Sequence, residues 1–214
     1  MADPTWLTWA REIQAIAQTG LAFGPNTYDR ERYERLRELA AEIVARHTDA
    51  TVAQAIELFG MQHGYATPKV DVRGAAFDGA GRILMVREVA DAGRWTLPGG
   101  WADVNLTPAE NVIKEVREES GYDVRVRKLA AAWDRTCQGH APGLFSCVKL
   151  FFICDITGGE ARTSSETSEI GWFTEDALPP NPSSGDISRE RTLAPQLHRM
   201  FAHARDPGLP TEFD

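Results

Sequence analysis

The sequence predicts an α+β protein in which a wholly helical amino-terminal segment precedes a strand-rich region broken by one helix. Three observations carry this. Apolar residues recur at helical spacing up to about residue 60, β-branched and aromatic runs bounded by Gly, Pro and Asp follow, and a capped, acidic helix interrupts those runs near residues 108–120.

The elements can be justified in order. Trp6, Trp9, Ile13 and Ile16 share one helical face, as do Tyr33, Leu36, Ala40, Ile43 and Val44, and then Val52, Ile56 and Phe59, with Gly20 to Asn26 separating the first two helices. Three short helices with one apolar face each cannot enclose those faces among themselves, so they must pack on something else. The punctuated stretch from Gly60 to Pro68 divides the chain into a helical domain over 1–66 and a second domain over 67–214. Val70 to Phe77 and Arg82 to Val89 read as strands joined by a hairpin at Asp78-Gly79-Ala80-Gly81. Further strands are expected at Val124 to Ala132, Phe145 to Ile156 and Ile170 to Phe173. A last helix is expected over Arg189 to Ala204, with Leu193, Leu197, Met200 and Phe201 inward and Pro195 shortening or bending it.

The interrupting helix is the most informative element. Thr107 is a good N-cap, Pro108 fits the first helical position, Glu110 completes a capping box, and Gly121 can close the helix in the left-handed conformation. Over Pro108 to Ser120, Ala109, Val112, Ile113 and Val116 form one stripe and Glu115, Glu118 and Glu119 the next. Like charges at this spacing weaken a helix by a few tenths of a kcal/mol. A hard divalent cation removes that penalty, and an all-oxygen donor set favours Mg²⁺ or Mn²⁺ over Zn²⁺. Ahead of the helix, Trp95-Thr96-Leu97-Pro98-Gly99-Gly100-Trp101 forms a Gly-containing loop that can bring backbone close to a ligand.

Loop and helix together, from Gly100 through Lys114-Glu115-Val116-Arg117-Glu118-Glu119-Ser120-Gly121-Tyr122, resemble the Nudix box, G-x5-E-x7-R-E-U-x-E-E-x-G-U with U aliphatic. The resemblance implies a mixed β-sheet sandwiched between helices and a hydrolase that splits the diphosphate of a nucleoside diphosphate linked to another group. It assigns metal binding to Glu115, Glu118 and Glu119, with the Gly99 carbonyl as a further ligand. Three positions depart: Leu106 stands where the family has Glu, Lys114 where it has Arg, and Tyr122 where it has an aliphatic residue. The first two look paired, as if a bidentate contact had been dispensed with. Glu110 lies at the wrong helical phase to replace the missing carboxylate. The resemblance points instead to the polar loop before the Trp172 strand, with Glu166 the first choice for a metal-binding or catalytic role and Glu169 the second.

The amino-terminal helices narrow the resemblance. Gln14 to Leu21, Tyr28 to Glu34 and Lys69 to Gly74, with Gly-Gly-Trp-x-Asp-Val at Gly99 to Val104, resemble a Nudix subfamily of hydrolases of X-linked nucleoside diphosphates. That implies a substrate of the ADP-ribose or CDP-choline type and a homodimer whose helical extension assists substrate binding.

Composition bounds the remainder. The chain of 214 residues has a formal net charge of −8, which argues against broad nucleic-acid binding and requires local cations for a polyphosphate ligand. Arg73, Arg87 and Arg135 are the candidates for substrate binding. No apolar run is long enough to cross a membrane, Met1-Ala2-Asp3-Pro4 lacks leader character, and Cys137, Cys147 and Cys154 lack metal-site spacing, so a cytoplasmic location is expected. Trp95, Trp101, Trp133, Phe145 and His140 are either walls for a base or packing residues. The reading is a metal-dependent pyrophosphohydrolase. A nucleotide sensor without turnover and a nuclease acting on RNA ends are the alternatives.

Overall fold

The computed structural model describes residues 3–24, 26–179 and 187–214. Met1 and Ala2, part of the terminus read for leader character, and Pro25, inside the predicted interhelical break, lie outside them. The chain forms two compact units, one reaching Pro68 and including Pro142–Ser146, the other comprising Lys69–Ala141 and Cys147–Asp214.

The first unit contains α1 (Thr5–Phe23), α2 (Thr27–His47) and α3 (Val52–Gly60). Gly20 does not end α1. It sits within the helix where an added Cβ would fall 2.4 Å from the Tyr33 ring, so it allows α2 a close approach, and the break comes after Phe23. Asn26 then caps α2 by accepting from the Asp29 N–H, and Thr51 with Gln54 forms a capping box on α3. The unit's core joins Ala10, Ala40, Ala41, Val44, Ala55 and Phe59, with Leu144 and Phe145 packed against it. Phe145 therefore belongs here and starts no strand.

The second unit contains β1 (Lys69–Phe77), β2 (Ile83–Glu88), β3 (Arg94–Thr96), α4 (Pro108–Ser120), β4 (Tyr122–Asp134), β5 (Cys147–Gly159), β6 (Thr167–Phe173), α5 (Ala194–Arg205) and β7 (Glu212–Phe213). The seven strands make one mixed sheet in the order β3-β2-β1-β5-β4-β7, with β6 pairing β2. The predicted hairpin turn closes through Asp78, but the main partner of β1 is β5, parallel along its whole length. One sheet face packs Val72, Ala76, Leu84, Phe152 and Cys154 on Val112 and Val116 of α4. The other packs Ala75, Met85, Ala131, Phe151 and Ile153 on Leu197, Met200 and Phe201 of α5. The sheet thus lies between two helices. Pro195 falls in the first turn of α5, where its missing N–H has no partner to lose, so the helix begins at Ala194 and is shorter at its start than the expected Arg189 to Ala204. The strands β3 and β7 were not predicted, being three and two residues long.

Candidate active site

The loop before α4 lies along β1. Gly74 N–H donates to the Pro98 carbonyl (2.9 Å), Val72 N–H to Gly100 (2.8 Å) and Ala102 N–H to Val70 (2.9 Å). Gly99 has φ 142°, and a Cβ there would stand 2.0 Å from the Val72 carbonyl oxygen, so glycine is required for the loop to lie so close. The Gly99 N–H points across to α4 and donates to Glu119 Oε2 at 3.0 Å.

Helix α4 is capped as its sequence predicts: Thr107 and Glu110 form the capping box, Pro108 opens the helix, and Gly121 closes it at φ 79°. Its acidic stripe separates into three environments. Glu119 is buried, Glu115 half-buried, and Glu118 exposed. Burial pushes the Glu119 carboxyl up to about 8 against the opposing pull of Arg73 and the Gly99 N–H. Burial also raises Glu115, with Lys114 opposing and Glu118 and Glu166 adding to the rise.

Lys114 Nζ stands 3.0 Å from Glu118, 3.1 Å from Asp103 and 3.7 Å from Glu115. The cation's partnership, which Leu106 was expected to abolish, is therefore moved to Asp103, three positions earlier. Only the acid's place in the same loop could have signalled it.

Two hydrogen bonds tie the loop before β6 to the end of α4: Thr167 Oγ1 donates to the Glu119 carbonyl (2.7 Å) and Arg162 N–H to that of Ser120 (2.9 Å). This brings Glu166 beside Glu115 and Glu119 at one cavity. Glu169 is turned away onto Arg87 at 3.2 Å.

The sheet supplies the cations. Pairing of β1 with β5 sets Asp71 opposite Lys149, and pairing of β4 with β5 sets Trp133 opposite Lys149. Arg135, just past β4, donates its N–H to the Cys147 carbonyl. Arg73 in the middle of β1, Lys149 near the start of β5 and Arg135 just past β4 thus line one cavity. Asp71 accepts from Arg73 Nε (2.9 Å) and Nη2 (2.7 Å) and from Lys149 Nζ (2.7 Å). Burial would raise Asp71, but the two cations outweigh it and hold it below the usual carboxylate range. Burial and the Arg73 charge push Lys149 down to about 8, with Asp71 opposing.

These groups line a cavity of about 360 Å³. Of the residues singled out from sequence, Gly99, Glu115, Glu119, Glu166, Arg73 and Arg135 line it, as does Trp101. Glu118 lines an adjoining cleft of about 460 Å³ shared with Glu115, Glu119 and Glu166. Arg87 is not brought to either: it donates to the Gly93 carbonyl (2.7 Å), pairs with Glu169 and lies 5.7 Å from the Trp95 ring centroid. Trp133 packs against Phe151 in the core, and His140 is buried and pushed down to about 4 by burial and the Lys149 and Arg135 charges. Asp71, Lys149 and the Glu88–Arg191 pair (3.2 Å) were missed.

The donor set at the acidic end is all oxygen: Glu115, Glu119, Glu166 and the Gly99 carbonyl. That chemistry fits a hard cation. Among the described residues no three carboxylate, imidazole or thiol groups are gathered closely enough to hold an ion by themselves. No helix of the described residues is long and apolar enough to cross a membrane.

Comparison with known proteins agrees with this architecture. The NUDIX domain model matches residues 67–194, and a model described as a UDP-X-like, N-terminal oligomerisation domain matches residues 4–59. The chain is 43% identical over 209 residues, 98% of its length and 97% of the relative's, to the Bacillus subtilis (strain 168) protein named "Putative ADP-ribose pyrophosphatase YjhB". A crystal structure of a UDP-X diphosphatase aligns over all of both chains at 29% identity and TM-score 0.60. That of an ADP-ribose pyrophosphatase from Streptococcus suis 89-1591 aligns over 69% of this chain and all of its own at 36% identity and TM-score 0.60. The chain belongs to the Nudix hydrolase family. Within it, the chain is a Nudix pyrophosphohydrolase that carries the amino-terminal UDP-X-like domain, and enzymes of this family generally use divalent metal ions.

Proposed function

We propose that this enzyme hydrolyses the diphosphate of a nucleoside diphosphate linked to a second group, X, with Mg²⁺ or Mn²⁺, giving a nucleoside monophosphate and phosphorylated X. The observation that carries the reading is the cavity's two ends: the buried Glu119 with half-buried Glu115 and exposed Glu166 at one, and the buried cations Arg73 and Lys149 at the other. Glu115, Glu119 and Glu166, with the Gly99 carbonyl, would hold the metal, and Glu118 would support it from the adjoining cleft. The bound cation would neutralise phosphate oxygens and acidify the attacking water. A carboxylate of this group takes the water's proton as oxygen bonds to one phosphorus, and the bridging oxygen departs with the other phosphate. Arg73, held by Asp71 and the Leu97 carbonyl, is fixed beside Glu119 and offsets charge on the diphosphate. A substrate of the ADP-ribose type is supported by the names of the relatives, while one of the CDP-choline type rests on the sequence resemblance alone. Incubating the full chain with ADP-ribose and CDP-choline in Mg²⁺ or Mn²⁺ should release the nucleoside monophosphate, and excess chelator should stop it. Binding without cleavage, or cleavage indifferent to chelator, would refute the reading.

The enzyme works as a homodimer joined through the helical unit. Trp9, Ile16 and Phe23 are at least half exposed on α1, more apolar surface than an isolated face ordinarily leaves in water, and the matched domain is described as one of oligomerisation. Light scattering at micromolar concentration should give about twice the 23.7 kDa chain mass. A monomer would overturn the assignment.

A further inference from the structure

Lys149 is a buried ammonium with three N–H donors, of which Asp71 takes one, and no second partner exists for it among the described residues. Yet it lines the cavity. Two donors of a buried cation left without acceptors are costly in an empty fold and useful if a ligand supplies the oxygens. Arg135, on the same wall, makes no side-chain ion pair among the described residues. Counting charges on this wall, Arg73, Lys149 and Arg135 give +3 and Asp71 gives −1, a balance of +2. The remaining cation, Arg191, is matched by Glu88, and Glu190 sits exposed.

The acidic end lies across the cavity, on α4 and the loop before β6, which belong to the other side of the sheet. A diphosphate placed there leaves the cationic wall for another part of the substrate. A quaternary ammonium is held by aromatic faces and carboxylates. Here Trp101 is the one aromatic lining residue found among the described residues, and its backbone bridges to Asp71, the acid that holds Lys149 and Arg73.

Resting on the nucleoside diphosphate-X reading, we infer that Lys149 and Arg135 contact X and select a hydroxyl-rich or anionic group, such as a sugar or polyol, against a cationic group such as choline. A charge-assisted hydrogen bond to a substrate oxygen, together with repulsion of the ammonium, is worth about tenfold or more in affinity.

The test uses the full chain with Mg²⁺ and two uncleavable α,β-methylene cytidine compounds that differ only in X, one carrying glycerol and one choline, with binding read by calorimetry. The glycerol compound should bind about tenfold tighter or better, and Lys149→Met should close most of that gap while leaving choline affinity unchanged or improved. Should that variant fold poorly, Arg135→Gln should shift the ratio in the same direction. Equal or tighter binding of the choline compound would overturn the inference, as would a Lys149→Met variant that weakens both compounds alike, which would place Lys149 on the shared diphosphate. A second arm measures cleavage of natural CDP-glycerol. No cleavage with the binding preference intact would refute hydrolysis and sustain the selection of X.

Discussion

The two ends of the cavity hold charge in opposite ways. On the sheet, Asp71 binds Arg73 and Lys149 at hydrogen-bonding distance, so burial of three charges is largely repaid within the fold. On α4, Glu119 is as deeply buried but meets only a backbone N–H and the more distant Arg73 charge, and burial pushes its carboxyl up to about 8. The sheet wall has its acid fully engaged, with cationic donors of Lys149 and Arg135 to spare. The helix wall has its acid engaged by no cation at hydrogen-bonding distance.

The sharpest way to break this contrast is to remove the shared acid. Asp71→Asn leaves two buried cations without their carboxylate and should cost about 3–5 kcal/mol in denaturant unfolding, the usual consequence of breaking a buried pair. An unchanged stability would show that water already screens this wall.

Glu119→Gln should behave in the reverse manner. Activity should fall on the order of 10²-fold or more, because a metal-binding or proton-accepting oxygen is lost. Stability without metal should rise at high pH. The sign follows from the raised carboxyl: the fold's full support is present below the ordinary carboxylate value and is lost as pH rises through about 8, whereas Gln still accepts from Gly99 and never ionises. The gain in chelator should reach roughly 2–4 kcal/mol above that pH and vanish near pH 4. A variant that is inactive but no more stable at pH 9 would mean Glu119 is better solvated than its burial indicates.

The same contrast explains what could be read from sequence. The caps, the apolar stripe and the three glutamates of α4 all lie between Thr107 and Gly121, where helical geometry converts spacing directly into neighbourhood. How deeply each glutamate is buried was not legible, since that depends on the Gly99 loop lying against β1. The cationic wall was legible only in fragments. Asp71 and Lys149 are 78 positions apart, and nothing local to either segment announces a parallel pairing that sets them face to face. Arg73 and Arg135 were found because strands near a phosphate site need cations; Arg87 met the same criterion and lies on Glu169 instead. Pro195 shortened the expected helix, and only the Arg189 start was wrong, because a helix interior and a first helical turn look alike until the start is known.

Smaller effects sharpen the boundary of the acidic wall. Glu166→Gln should lower turnover about tenfold or more with little change in melting, since its side chain faces the cavity from a loop. Glu110→Gln should do the opposite, leaving the rate intact while weakening the cap of α4 by roughly 0.5–2 kcal/mol at most, because Gln can still reach the Thr107 N–H. Rates and thermal melts on both variants separate them, and a catalytic loss at Glu110 would show that the helix presents a different face to the metal.

The smallest expected effect lies at Lys114, where the exposed version of the buried Asp71 cluster can be measured in the same molecule. Lys114 also serves several carboxylates, but Asp103 and Glu118 are both more than half exposed, so water screens the pairs and side-chain entropy offsets much of the attraction. A double-mutant cycle with Asp103→Asn and Lys114→Met should give a coupling of about 0.2–1 kcal/mol that shrinks further at high salt. Restoring the family residue with Leu106→Glu should add a competing carboxylate for Lys114 and reduce that coupling rather than add to it. A coupling above about 2 kcal/mol, insensitive to salt, would show that Asp103 and Lys114 are sequestered from water in solution. The helix wall would then be partly compensated by its own residues, and its demand for a cation correspondingly weaker.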